Sequence, residues 1–238
     1  MPDLRVVHLG LRAYAEVLEL QRAAAAARLS GELPDDLLLL VEHPPVITLG
    51  RGARNPSHLR ASAVELAASG VELFEVDRGG DVTYHGPGQL VGYPIIDLRQ
   101  HREDLHWYLR RLEHLLIRAL NALGLVAERR DGLTGVWTCG RKIASIGVHA
   151  RQWVTWHGFA LNVTTDLSHF GAIVPCGIPD VVMTSVSHEL GATGAAADAL
   201  RDAAVRAVVE SAGETFGLAT VEVELDSLRL RVPLAVAT

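Results

Sequence analysis

The stretch 78–94, reading RGGDVTYHGPGQLVGYP, crowds five glycines and two prolines between apolar runs at 71–76 and 90–98. Its backbone must turn tightly and stay open to approach, which is the signature of a binding loop between strands. Gly79 and Gly80 leave amide N–H groups unshielded by side chains, Arg78 adds a fixed cation, and Thr83 and His85 add polar tips. Such a wall suits an anion or an acyl carbonyl. A hairpin whose glycines serve geometry alone is the alternative.

Around this stretch the hydrophobic pattern alternates between strand and helix. A short strand at 6–9 precedes a helix at 14–29, with apolar residues at Val17, Leu20 and Ala24 and a stop near Ser30-Gly31. The apolar run 37–41 predicts a central strand; Pro44 and Pro45 force a bend before the strand 46–49. A short helix at 61–69 and a strand at 71–76 lead into Arg78, and 90–98 returns as a strand. Leu105, Tyr108, Leu109, Leu112, Leu115 and Leu116 mark a long amphipathic helix stopped by Gly124. Three strands follow at about 135–139, 142–150 and 154–163, joined by tight turns that suit antiparallel pairing. The segment 171–179 has no period and predicts an ordered loop, and a helix at 195–216 with a strand at 221–225 closes the chain. The expected fold class is α/β (α+β), a mixed and largely antiparallel sheet flanked by helices. The expected division is a catalytic domain over 1–190 and a small C-terminal subdomain over 191–238 packed on it.

Among 238 residues the formal net charge is −6 and no Lys/Arg cluster occurs, which argues against a nucleic-acid partner. Neither a signal-peptide core nor an apolar stretch approaching ~18 residues is found, so a cytoplasmic protein with no membrane partner is expected. Two cysteines, Cys139 and Cys176, are too few for a disulfide framework and wrongly spaced for paired zinc ligands.

Cys176 lies in IVPCGI, where proline stiffens one side and glycine admits a substrate on the other. That setting suits a nucleophile, although a small buried hydrophobe is the usual fate of a free cysteine. Lys142 enters a strand on a face with Ala144 and Ile146, while Ile143, Ser145 and Gly147 share the other; its small and apolar neighbours suggest partial burial, against the alternative of a solvated strand-end charge. Cys139, in the apolar run VWTC, reads as structural. His43, His85, His149, His157 and His169 lack the spacing of metal ligands, so no metal site is expected. The four tryptophans form no stacking platform for bases.

Taken together, LLLLVEHPPVITLGR at 37–51, the stretch 78–94, GRKIASIGV at 140–148, TWHGFALNV at 155–163 and IVPCGI at 173–178 closely resemble the octanoyltransferases of lipoate biosynthesis. The resemblance spans roughly residues 37–190. It implies the fold of biotin and lipoate protein ligase catalytic domains, and the transfer of octanoyl from acyl carrier protein to a lysine of a lipoyl domain, with no cofactor. The acceptors it implies are the lipoyl domains of 2-oxoacid dehydrogenase complexes and the glycine cleavage carrier protein. The family's acyl-thioester nucleophile falls on Cys176, and the lysine that promotes its thiolate and acts as general base falls on Lys142. The implied substrate-binding segments are Arg78, Gly79, Gly80, Asp81, Val82, Thr83, Tyr84 and His85; Ser145, Ile146 and Gly147; and Gly158, Phe159 and Ala160. Cys139 beside the lysine is not part of the family pattern.

Transfer from a thioester needs a thiolate, and an ordinary thiol is only a few per cent ionised at neutral pH, so a neighbouring ammonium has a task. Once the sulfur is acylated that ammonium loses its counterion and can yield its proton, which lets one lysine serve both half-reactions. Backbone N–H groups beside Cys176 or in 145–147 are the expected oxyanion donors. An ATP-dependent lipoate or biotin protein ligase, a thioesterase and a passive acyl carrier are the rival readings.

Overall fold

The computed structural model describes residues 3–230. In chain order the elements are β1 (Leu4–Leu11), α1 (Tyr14–Ser30), β2 (Asp36–Glu42), β3 (Val46–Leu49), α2 (Ala63–Ala68), β4 (Glu72–Glu75), β5 (Val82–His85) and β6 (Gln89–Ile95). They continue as α3 (Leu105–Ala122), β7 (Glu128–Arg130), β8 (Leu133–Thr138), β9 (Arg141–Arg151), β10 (Val154–Asn162), α4 (Val186–Leu190), α5 (Ala195–Phe216) and β11 (Thr220–Glu222).

Eight strands form one sheet in the order β11-β1-β2-β6-β10-β9-β8-β7, parallel at β11-β1-β2 and antiparallel from β2 onward. The apolar run of β2 explains itself here. Leu37, Leu39 and Val41 pack with Val17, Leu20 and Ala24 of α1, while Leu38 and Leu40 join Leu112, Leu115 and Leu116 of α3 and Val208 of α5. A strand covered on both faces needs no polar alternation. Pro44 and Pro45 then end the pairing, and β3 starts a second sheet, ordered β4-β3-β5. The fold is therefore the expected mixed, largely antiparallel α/β architecture.

The glycine-rich stretch is less of a loop than its composition suggests. Only 78–81 and 86–88 of it lie outside strands, because Val82-Thr-Tyr-His85 pairs antiparallel with β3. β-branched and aromatic residues in alternation outweigh the glycines around them.

Helix termini follow from local chemistry. Asp104 caps α3 by accepting from Trp107 N, and Ser62 and Glu65 close a reciprocal capping box on α2. The expected loop at 171–179 contains the short 3-10 turn Pro175–Gly177 and follows another at Leu167–Ala172. In the C-terminal part, α5 packs against α3 and β11 adds an edge strand beside β1; residues 231–238 of the expected subdomain lie outside the described residues. No described helix is long and apolar enough to cross a membrane.

Candidate active site

Lys142 and Cys176 come from distant parts of the chain and meet. Lys142 Nζ stands 3.1 Å from Cys176 Sγ, and Ser145 Oγ lies 3.9 Å from the same sulfur. Strict alternation along β9 puts Lys142 and Ser145 on opposite faces. A bulge resolves this: Val136 of β8 pairs with Ala144, but the next residue, Trp137, pairs with Lys142, so β9 carries one extra residue at this point. Ile143, Ala144 and Ile146 all fall into the core under α3, and Lys142 and Ser145 turn together toward the thiol. The expected companionship of Lys142 with Ala144 and Ile146 is thus corrected.

Burial of Lys142 is complete rather than partial, at 0% exposure. Its Nζ donates to Thr134 O at 3.2 Å and sits 5.1 Å from the centre of the Trp137 ring. Its backbone is fixed by Val182 O, which accepts Lys142 N, and by Thr184 N, which donates to Lys142 O. Among the described residues no carboxylate pairs with it, and the Cys176 sulfur is its side-chain hydrogen-bond partner. Room for the lysine comes from Gly135: a Cβ there would fall 2.8 Å from Lys142 Cε.

Cys176 lies in the left-handed region, at φ 56° and ψ 20°, an uncommon conformation for a side-chain-bearing residue. Gly177 N and Ile178 N bond back to Val174 O and Pro175 O, closing the turn that presents the thiol. Cys139 proves to be neither part of a strand nor buried. It occupies the β8–β9 turn at φ 47° and is exposed, because a two-residue hairpin connection needs left-handed residues at that point.

The thiol opens on a cavity of about 240 Å³. Its walls include Arg78, Gly80, Asp81, Thr83 and His85, then Ser145 to Gly147 and Gly158 to Ala160. Val82 and Tyr84 do not line it; alternation along β5 sends both into a cluster with Leu66, Phe170 and Ile173. Gly79 is likewise absent from the wall, its N–H being used by Val148 O. Contributors outside the expected binding residues are Tyr14, Val91, Tyr93, Gly132, Leu133, Thr134, His157 and Ile178. The GLTG hairpin at 132–135, with two glycines three residues apart, was the available signal for three of them.

Arg78 is a brace as much as a cation. It is 7% exposed, and its guanidinium donates to Thr48 O (2.7 Å), Thr48 Oγ1 (2.9 Å) and Gly79 O (3.1 Å), which ties the loop to β3. The amides of Gly80 and Asp81, both in the cavity wall, donate to no acceptor among the described residues, whereas those of Gly177 and Ile178 are spent. The amide of Cys176 itself likewise has no acceptor among the described residues, so free donors are found both beside the thiol and in 80–81.

Three buried histidines lie in and around the cavity wall. His43 donates Nδ1–H to Arg12 O, so its Nε2 accepts from the Tyr93 hydroxyl at 2.8 Å; burial pulls its pKa down to about 4. His85 donates to Gln89 Oε1, and burial, with His43 adding to it, lowers it to about 3. His157 bonds Asp77 Oδ1 through Nε2 at 2.8 Å and leaves Nδ1 buried without a partner at the cavity.

The model of the lipoyl protein ligase A/B catalytic domain matches residues 13–212. Solved structures share the architecture: lipoate-protein ligase A bound with ATP aligns at a TM-score of 0.72 and 17% identity over 95% of this chain and 92% of that one. A bipartite lipoate protein ligase from Thermoplasma acidophilum aligns at 0.71 and 19%, over 96% and 91%. At such identities these two speak for the fold alone. The octanoyltransferase of Rubrobacter xylanophilus is 56% identical over 183 residues, 76% of this chain and 81% of the relative. That of Chloroflexus aurantiacus is 52% identical over 221 residues, 92% and 96% of the two. The chain belongs to the lipoyl protein ligase A/B catalytic domain family and, within it, to the octanoyltransferases, a class of acyltransferase.

Proposed function

We propose that this protein moves octanoyl from acyl carrier protein to a specific lysine of lipoyl domains in the cytoplasm, through a thioester on Cys176 and without ATP. The observation that carries this reading is the 3.1 Å approach of the fully buried Lys142 to a thiol that lines a cavity.

In the first half-reaction the Cys176 thiolate, held by Lys142, attacks the donor thioester. The oxyanion is met by amides free at the cavity, those of Cys176 and of 80–81, and Lys142 gives its proton to the departing carrier thiolate. Octanoyl then occupies the cavity, whose about 240 Å³ lies below the roughly 300–1,000 Å³ of sites for drug-sized ligands. Lys142, now neutral and without a counter-charge, is fitted to take a proton from the attacking amine in the second half. Thioester exchange is near thermoneutral and amide formation is downhill, so no nucleotide is needed. Acceptors of this chemistry are the lipoyl domains of 2-oxoacid dehydrogenase complexes and the glycine cleavage carrier protein.

Incubation with octanoyl-acyl carrier protein in the absence of ATP, followed by intact mass and peptide mapping, tests the reading. An octanoyl adduct on Cys176, absent in Cys176→Ser and never found on Cys139, is the expected result. An adduct requiring octanoate and ATP would point to a ligase, and free octanoate released without any acceptor to a thioesterase.

A further inference from the structure

Proton accounting leaves the second half-reaction one base short. A lysine side chain reaches the enzyme as an ammonium at neutral pH. Between R–NH3+ and the finished amide two protons must leave nitrogen, the first to free the lone pair and the second after the C–N bond has formed. Lys142 enters this step neutral and can accept only one.

A second acceptor is built against the nucleophile's turn. His58 Nδ1 lies 2.7 Å from Asp81 Oδ2. Asn55 fixes the tautomer: its Oδ1 accepts from Ser57 N and Ser57 Oγ, so it turns its NH2 toward His58 Nε2, at 3.3 Å. Nδ1 therefore carries the proton and Nε2 the lone pair, held by a long 3.3 Å contact from Asn55 that an incoming ammonium displaces, and an imidazole so oriented by a carboxylate can act as a base. Asp81 is itself held, its Oδ1 accepting from Val82 N at 2.7 Å.

This pair is tied to the Cys176 turn. His58 O accepts from Val174 N at 2.8 Å, and a Cβ on Gly177 would fall 2.7 Å from Asp81 Oδ2 and 2.9 Å from His58 Cε1. Only glycine beside the nucleophile allows that packing. Asp81 lines the cavity together with Cys176, so the pair joins the reacting site to the surface. The His58 side chain is 22% exposed, whereas Lys142 is fully buried, so a proton on His58 can pass directly to water and one on Lys142 cannot.

Building on the thioester reading above, we infer that His58, oriented by Asp81, takes the first proton from the incoming lysine ammonium. The freed lone pair attacks the thioester carbon, forming C–N and moving the carbonyl π pair to oxygen. Collapse of the tetrahedral adduct breaks C–S and returns the thiolate, one of the two protons on the adduct nitrogen goes to Lys142 while the other stays on the amide, and His58 releases its proton to water. Both protons are accounted for, and the enzyme regains its ammonium–thiolate pair.

The test uses preformed acyl-enzyme and two acceptors, a lipoyl domain and hydroxylamine, an amine already uncharged at neutral pH. His58→Gln should acylate normally. Its discharge to a saturating lipoyl domain should slow by about 10²–10⁴-fold, the usual weight of general acid–base catalysis, with the half-saturating concentration unchanged. Discharge to hydroxylamine should match wild type. His58→Ala should behave alike and recover lysine discharge when imidazole is added. Equal slowing with both acceptors, a raised half-saturating concentration as the whole effect, impaired acylation in the variants, or undiminished lysine discharge would each overturn the assignment. Failure of the wild-type protein to form any adduct would instead remove the thioester reading on which it rests.

Discussion

Substituting Gly135→Ala tests whether the position of Lys142, rather than its mere presence, activates the thiol. The new Cβ would stand 2.8 Å from Lys142 Cε and 2.7 Å from Ala144 O, where ordinary contact begins at 3.4 Å. The Ala144 carbonyl is fixed in the sheet, so the lysine must withdraw by about 0.6 Å, the difference between 3.4 and 2.8. The Nζ–Sγ separation then grows from 3.1 Å to roughly 3.7 Å, which stretches the N–H···S hydrogen bond without breaking it. At an effective dielectric of ~20 the Coulomb attraction weakens by about 1 kcal/mol, and partial loss of the charge-assisted hydrogen bond adds up to about 1.5 kcal/mol. Together these predict acylation slower by roughly 5–50-fold. The φ of +137° at this position adds about 1–3 kcal/mol of backbone destabilisation. Gly124→Ala is the control, at φ +86° with no atom within 4 Å of its Cβ; it carries the backbone cost alone. Quenched intact-mass measurement of acyl-enzyme formation, beside thermal melts, separates the two effects. If Gly135→Ala acylates as fast as Gly124→Ala, the placement argument fails.

Acid should weaken the fold before it titrates any carboxylate. His43 and His85 are held neutral, at about 4 and about 3 against an ordinary 6.5, so the unfolded chain binds protons that the native state refuses. Stability is complete above about pH 6.5 and falls through pH 5, by about 2 kcal/mol per histidine there, levelling off between 4 and 3. Equal unfolding free energies in urea at pH 7.5 and 5.0 would contradict this. Arg28→Met should remove about 3–5 kcal/mol and lower Tm on the order of 10 °C, because it strips the buried Asp36 of a guanidinium that donates to Oδ1 at 3.1 and 3.2 Å. A loss below about 1 kcal/mol would show that His101, 2.6 Å from Asp36 Oδ2, suffices as partner.

The sequence was most legible where one local rule acts alone. The helix at 195–216 coincides with α5, and the continuous leucines at 37–41 announced a strand buried on both faces. Legibility failed where a local rule met a long-range one. Period two along 142–147 is sound chemistry for an isolated strand, yet the bulge opposite Val136 reverses it, and nothing in GRKIAS signals that the partner strand is one residue short. The same blindness hid His58. It lies in NPSHLR, a polar segment without period, and gains significance only when β3 and β5 bring Asp81 beside it and Gly177 packs against both. Cys139 shows the converse: an apolar run predicted burial, but the αL residue demanded by a tight hairpin exposed the thiol instead. The site is thus assembled from exceptions to periodicity, namely a bulge at Lys142, a left-handed Cys176 and glycines at 135 and 177. Regular strands orient side chains alternately to two faces, and only such irregularities can turn an ammonium and a thiol, 34 residues apart in sequence, onto the same point.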